Sequence, residues 1–457
     1  MQTAFLAVCG LLIAGGLVWA VWRLDPAWVF CAGLAAMVFS GHWTDLGFPS
    51  GIPLKPDRLL LVVALGMLVL RTPGARDRPP IQLRPVHALL ALTLVYAFFS
   101  AWAAGTLSDQ TALFGLIDRF GLLPFLAFAL APAMFHTAAQ RRVLVGTLVV
   151  LGGYLGITAI FEITNFKAGV FPSYIMDPNV GITFGRARGP FVQSNAEGLV
   201  LFAGLVACGL ALTARPGPRI RVALYAVAAL CLAGMFMTLT RSVWVAAVGS
   251  IAIVAVFSPA IRRRALPLAV VAAAGVGIAL VAIPGLHDRA TQRTEDQRPI
   301  WDRYNSNAAA VRILDEKPLF GVGWGRYHEV NGQYLRQSAD YPLTGVGLEV
   351  HNVPLGNAAE LGLVGGLLWA AALIGGVFAP MLRRLAGPDD RWRLALIAVG
   401  TNWLLVAMFA PLGYPLPNML IWLIAGIVVG LRPPVPVPMP SWLRLTGSAA
   451  KPAVTPS

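Results

Sequence analysis

His351 stands where the longest polar stretch of the chain gives way to an apolar run, in VHNVPLGNAAELGLVGG at 350–366. An imidazole with a reference pKa near 6.5 accepts a proton readily at neutral pH. At a water–lipid boundary it is well placed to deprotonate or orient a hydroxyl, although packing or capping is the plainer use of such a ring. Asn352 and Asn357 suit helix starts, and Pro354 suits a first helical turn. Glu360 falls inside the apolar helix that follows, where it either bonds a neighbouring helix or meets a ligand. His42, His87, His136, His287 and His328 lack this setting.

Arginines supply the complementary chemistry. In GRARGPFVQSNAEGL at 185–199, Arg186 and Arg188 immediately precede a helix expected to begin near Asn195. Two guanidiniums beside a helix N-terminus make an anion site, because their forked donors suit phosphate oxygens; the plainer alternative is a snorkelling anchor. Arg241, in TLTRSVW at 238–244, separates two apolar runs by a very short turn. An ionisable group at membrane depth is a functional candidate by default, against a simple turn anchor. The long polar stretch adds RPIWDRY, which contributes Arg298, and KPLFGVGWGRY at 317–327. Its glycines at 321, 323 and 325 permit tight turns; without a strand–helix unit around them they are read as a compact turn and not as a nucleotide loop.

The sequence has no His-x-x-x-His, so no metal ligands and no cofactor are expected. Cys9, Cys31, Cys208 and Cys231 all lie in apolar runs and suggest neither a disulfide framework nor metal spacing. Chemistry on a diphosphate without a metal needs fixed cations to stabilise the departing charge, and arginine can provide them.

The elements that must position these groups are membrane helices. The 457 residues are 57% hydrophobic and 12% charged, against roughly 25% charged for soluble domains. Apolar runs recur near 4–22, 26–40, 58–70, 86–104, 119–137, 143–162, 195–214, 220–238, 242–258, 266–285, 355–382, 393–411 and 417–431. At about 20 residues per span they imply an all-α integral membrane bundle of about 12 or 13 crossings. The first run has no clear cleavage site and is read as a span.

The net charge of +14 does not point to nucleic acid, since the arginines sit in short alternate loops in place of a single stripe. That pattern fits positive-inside topology. Arg71, Arg76, Arg78 and Arg84, then Arg141 and Arg142, Arg215, Arg219 and Arg221, Arg262 to Arg264, Arg383, Arg384, Arg391 and Arg393, and finally Arg432 mark the cytoplasmic side. The segments 105–118, 164–194, 239–241, 286–352 and 411–416 then face outward. The outer segment 286–352 is rich in aromatics, which suits a small folded cap, because long loops are functional or disordered and aromatic content disfavours disorder. Two units are expected: 1–431, a membrane domain that includes this outer segment, and 432–457, a Pro-rich cytoplasmic tail.

In these stretches the chain resembles the O-antigen ligase/polymerase family of bacterial membrane glycosyltransferases, over roughly residues 58–430. Arg186, Gly189 and Phe191 match its Arg-x-x-Gly-x-Phe segment. Arg241 matches its short-turn arginine, and Pro318 to Gly323 its Pro-Leu-x-Gly-x-Gly stretch. His351, Asn352, Glu360, Gly362 and Gly365 match its closing His-Asn and Glu-x-Gly-x-x-Gly. Where the family often has Asn-Pro-Asn, this chain reads Gln193-Ser194-Asn195. The resemblance implies a glycosyltransferase of the bacterial cytoplasmic membrane, working on its outer face. It would move a glycan from undecaprenyl diphosphate to an acceptor hydroxyl on a glycan, lipid or protein. His351, Arg241 and Arg186 would be catalytic, and Arg188, Asn195, Arg298, Asn352 and Glu360 would bind substrate. Metal-independent, inverting ligase chemistry is the leading expectation, a polysaccharide polymerase using a lipid-linked repeat unit is the alternative, and a polysaccharide or lipid transporter is the non-enzyme alternative.

Overall fold

The computed structural model describes residues 15–16, 19, 23–49, 55–72 and 76–431. The apolar run near 4–22 falls almost wholly outside them, and the tail from 432 does so entirely. Among the described residues every regular element is a helix. In chain order they are α1 (Pro26–Ala36), α2 (Pro56–Val69), α3 (Pro85–Ala104), α4 (Gln110–Met134), α5 (Ala138–Ile163), α6 (Ser194–Thr213), α7 (Pro218–Met237), α8 (Arg241–Phe257) and α9 (Pro259–Ala282). Three helices of the long polar segment follow, α10 (Leu286–Glu295), α11 (Arg298–Glu316) and α12 (Tyr327–Tyr334), and then α13 (Val353–Leu382), α14 (Asp390–Ala407) and α15 (Pro415–Gly430).

α3, α4, α5, α6, α7 and α13 are long and apolar enough to cross a membrane; the stretches Pro26–Phe39, Arg241–Phe257, Ala273–Ala282 and Pro415–Gly430 are apolar but shorter. The protein is thus a polytopic helical membrane protein, and the apolar runs read from the sequence fall on helices wherever the structure describes them.

The boundaries follow local chemistry. Thr137 and Gln140 form a reciprocal capping box at the start of α5. Asn352 caps α13, its side-chain oxygen accepting from the Leu355 N–H at 3.0 Å. α5, α6 and α7 pack on small residues. A Cβ at Gly152 would lie 2.8 Å from Cys231 Sγ and 3.1 Å from the Gly204 Cα, so only a glycine lets these backbones approach so closely.

The two sets of loops separate to opposite ends of the bundle. At one end Arg78 pairs with Asp25 and donates to the Ala133 and Met134 carbonyls. There too Arg141 faces Asp389 at 3.8 Å, and Arg391 donates to Thr213 Oγ1 at 2.9 Å. These are the arginine-rich loops. At the other end Thr106 Oγ1 donates to the Trp324 carbonyl at 2.7 Å, Arg303 to the Phe409 carbonyl at 3.0 Å, and the Ala187 N–H to the Met237 carbonyl at 2.9 Å.

The segment 286–352 is a folded cap. Ala309, Ala310, Ile313, Tyr327, Tyr334 and Val350 make a small core of their own. Trp324 plugs it into the bundle: its indole donates to the Ala112 carbonyl at 2.9 Å and its ring meets Phe120 edge-on at 5.0 Å.

Candidate active site

The glycines of KPLFGVGWGRY seat this turn among three helices, Gly321 against α13, Gly323 against Ala104 of α3 and Gly325 against Ala112 of α4. Gly362 breaks α13, with φ 69° and ψ −176°, a conformation essentially reserved for glycine. The cap's strand-like segment fills the break: the Gly323 N–H donates to the Glu360 carbonyl at 2.8 Å, and the Leu363 N–H to the Pro318 carbonyl at 2.7 Å. A Cβ on Gly362 would sit 2.1 Å from the Leu319 carbonyl oxygen. The compact turn expected from the sequence is therefore the joint that fixes the cap, and with it His351, over the helix ends. Glu360 serves the same joint, its carboxylate accepting from the Tyr327 N–H at 3.3 Å.

His351 is partly buried, and its Nδ1 is sealed from solvent with no hydrogen-bond partner among the described residues. Burial, then the charge of Arg303, push its pKa below the usual value, against the smaller opposing pull of Asp302 and Glu349. The ring is consequently neutral at pH 7 and able to take a proton. Arg303 feels burial first and Arg241 next, both lowering its pKa, while Asp302 raises it; a guanidinium remains charged through such shifts. Arg303 thus stands within electrostatic reach of both Arg241 and His351. Arg241 also donates to the Asp296 carbonyl at 3.0 Å, which ties its turn to the start of the cap.

Arg186 lies in the loop before α6. The bond from the Ala187 N–H to Met237 stitches that loop to the end of α7, four residues before Arg241. The turn holding Arg241 is pinned to the start of α6 by Thr240 Oγ1 donating to Ser194 Oγ at 2.9 Å and Ser242 Oγ to Asn195 Oδ1 at 3.0 Å. Asn195 therefore braces the turn.

Arg188 occupies a different place. It is 1% exposed, and its guanidinium donates to the backbone carbonyls of Ile175, Asp177, Val180 and Ile182. Its own N–H and that of Gly189 donate to the Glu162 carboxylate at 3.1 and 2.9 Å. Arg188 is the hub of the 164–193 loop, with its charge turned inward. Arg298 is exposed at the first turn of α11. Five residues along a helix is a rotation of about 140° beyond one turn, so only one of Arg298 and Arg303 can face the corner, and it is Arg303.

A cluster of three further ionic residues escaped the sequence reading. Arg119 donates to Glu349 at 3.1 Å, and His328 lies 3.8 Å from the same carboxylate. Burial pushes the Glu349 pKa up, but Arg119 and His328 outweigh it and hold the group at about 2. Among the described residues no three His, Cys, Asp or Glu side chains group as metal ligands do.

Residues 226–370 match a family model described as O-antigen ligase. That match, over about a third of the chain, supports its resemblance to the O-antigen ligase/polymerase family. The matched stretch carries Arg241, Arg303, Glu349, His351 and Glu360, and runs from within α7 through the whole cap and into α13. Arg186, Arg188 and Asn195 lie before it. No curated protein matches the chain significantly. Its general activity is of the O-antigen ligase/polymerase type, that is, glycosyl transfer.

Proposed function

We propose that this protein transfers a glycan from undecaprenyl diphosphate to an acceptor hydroxyl on the outer face of the bacterial cytoplasmic membrane, without a metal and with inversion at the anomeric carbon. The observation that carries this reading is the pairing of a neutral, half-buried His351 with Arg303 and Arg241, while the loop of Arg186 is hydrogen-bonded to the end of α7 just before the turn of Arg241. Positive-inside charge assigns the arginine-rich end to the cytoplasm and so this corner to the outside.

In the reaction, the acceptor oxygen attacks the anomeric carbon and its proton passes to the imidazole of His351. The bond from that carbon to the diphosphate oxygen breaks, and the electron pair leaves with undecaprenyl diphosphate. Arg241, Arg303 and Arg186 meet the growing negative charge in a site of low dielectric, where preorganised cations are worth most. One in-line displacement inverts the centre. A polymerase would use the same corner, with a lipid-linked repeat unit as acceptor.

The test is reconstitution of the whole chain in proteoliposomes with lipid-linked glycan and acceptor from the native host. Arg241→Ala and His351→Ala should each cut transfer by about a hundredfold or more. Intact transfer in both variants, with loss of glycan movement across the bilayer, would establish a transporter instead.

A further inference from the structure

Asp118 and Arg119 are neighbours on α4, yet they serve different partners. Residues Gly115–Phe120 form a π-helical turn, whose backbone bonds reach one residue further than those of an α-helix; such turns recur at functional sites. From it Asp118 pairs with Arg58 on α2, while Arg119 reaches Glu349, 230 residues ahead. The Arg119 guanidinium donates to Glu349 Oε1 at 3.1 Å and lies 5.5 Å from the Trp324 ring centroid. Glu349 stands two residues before His351. The segment that carries both is held within the cap by Asn305, which donates to the Pro342 carbonyl at 3.0 Å, and by Asn331, which donates to the Leu348 carbonyl at 3.2 Å. Arg119 ties that segment to a membrane helix instead.

The pair also sets the charge that His351 meets. Arg303 and Asp302 act on the imidazole from α11, and Glu349 acts on it from its own segment. Around Glu349 stand Arg119 from α4, His328 from α12 and Tyr414 just before α15. Glu360 on α13 lies within electrostatic reach of both Arg119 and Glu349. Left unpaired, the Glu349 carboxylate would favour the imidazolium, and less of the neutral, proton-accepting ring would remain. Opposite charges so close together cancel most of each other's field at a third group. Glu349 titrates at about 2, so both partners carry full charge wherever His351 titrates.

We propose that Arg119 is a positioning residue for His351 and acts through Glu349: the ion pair anchors the segment of His351 to α4 and keeps the Glu349 charge from holding a proton on the imidazole. This rests on the transferase reading above and gives a part in the reaction to a guanidinium other than Arg186, Arg241 and Arg303.

The test follows the His351 ring itself, by NMR of the full chain in nanodiscs with labelled histidine, the His351→Gln spectrum assigning its signal. The pH–rate profile of glycan transfer in proteoliposomes is measured beside it. Arg119→Gln removes the cation and should raise the His351 midpoint, and with it the acid limb of the rate, by about half a pH unit or more. Glu349→Gln leaves the cation and should lower both by a similar amount, so it carries the test even if Arg119→Gln fails to fold. Arg119→Lys keeps the charge and should restore the wild-type midpoint with part of the rate, because an ammonium matches a carboxylate less closely than a guanidinium does. Glu329→Gln removes an exposed carboxylate beside Arg326 and should move neither quantity. A His351 midpoint that stays in place in both Arg119→Gln and Glu349→Gln, or that moves as far in Glu329→Gln, would overturn the proposal. An acid limb that ignores the shifted midpoint would overturn it as well. Shifted midpoints in a protein that transfers no glycan would sink the transferase reading and leave the coupling of Arg119 to His351 standing.

Discussion

Replacing Arg188 separates a loop-organising guanidinium from a substrate-binding one. Its side chain makes five hydrogen bonds, two to the Ile175 carbonyl and one each to Asp177, Val180 and Ile182, at 2.6 to 3.3 Å. A hydrogen bond from a charged donor contributes about 1.5–3 kcal/mol. The sum is far from additive, and water rescues the outermost carbonyls, so we expect Arg188→Ala to destabilise the loop by roughly 3–5 kcal/mol, in line with other broken buried networks. At about 1.4 kcal/mol per decade, amide hydrogen exchange across 172–193 should accelerate by roughly a hundredfold to a few thousandfold. Arg188→Lys should recover only part of this, because an ammonium has three donors on one atom and cannot span four carbonyls. Hydrogen-exchange mass spectrometry of the protein in nanodiscs measures the effect, with farnesyl diphosphate binding followed in parallel. Unchanged exchange in the loop together with lost diphosphate binding would refute the structural assignment and return Arg188 to the substrate.

On α11, Arg303→Ala should reduce glycan transfer by about a hundredfold, whereas Arg298→Ala, on an exposed first turn, should stay within about threefold of wild type, a loss typical of surface positions; equal effects from the two would contradict the helix phase. The lowered pKa of His351 places the acid limb of the transfer rate below pH 6.5: its neutral form persists as pH falls past that value and is lost only below it. An acid limb above pH 6.5 in a pH–rate profile would exclude His351 as the base. Gly362→Ala places a Cβ 2.1 Å from a backbone oxygen at a φ of 69° and should cost more than about 3 kcal/mol from strain and clash together. It should appear as a lower melting temperature and easier proteolysis of the cap, and a melting temperature equal to the wild type would refute the joint.

The sequence by itself determined what is local and periodic. Apolar runs located the helices, because a span must bury its backbone polar groups within itself, and alternating arginine loops foretold the two ends that the structure separates. Single-residue chemistry was also legible where it acts at short range: Asn352 capping its own helix, the glycines of 321–325 making a turn, His351 at a helix mouth.

Tertiary structure decided everything that depends on how one helix is rotated against another. Arg298 and Arg303 share one helix, and nothing in their spacing says which faces the bundle. Arg188 reads like Arg186 two residues earlier, yet its guanidinium collects carbonyls from a loop without periodicity that only the folded chain closes. Arg119 meets Glu349 across 230 residues, and no local pattern encodes such a pair. Periodicity fixes each element's own face, while the partner of that face is set by packing among all of them. For that reason the sequence could nominate His351 and the arginines but could not reveal the pairing of Arg119 with Glu349 or the carbonyls gathered by Arg188.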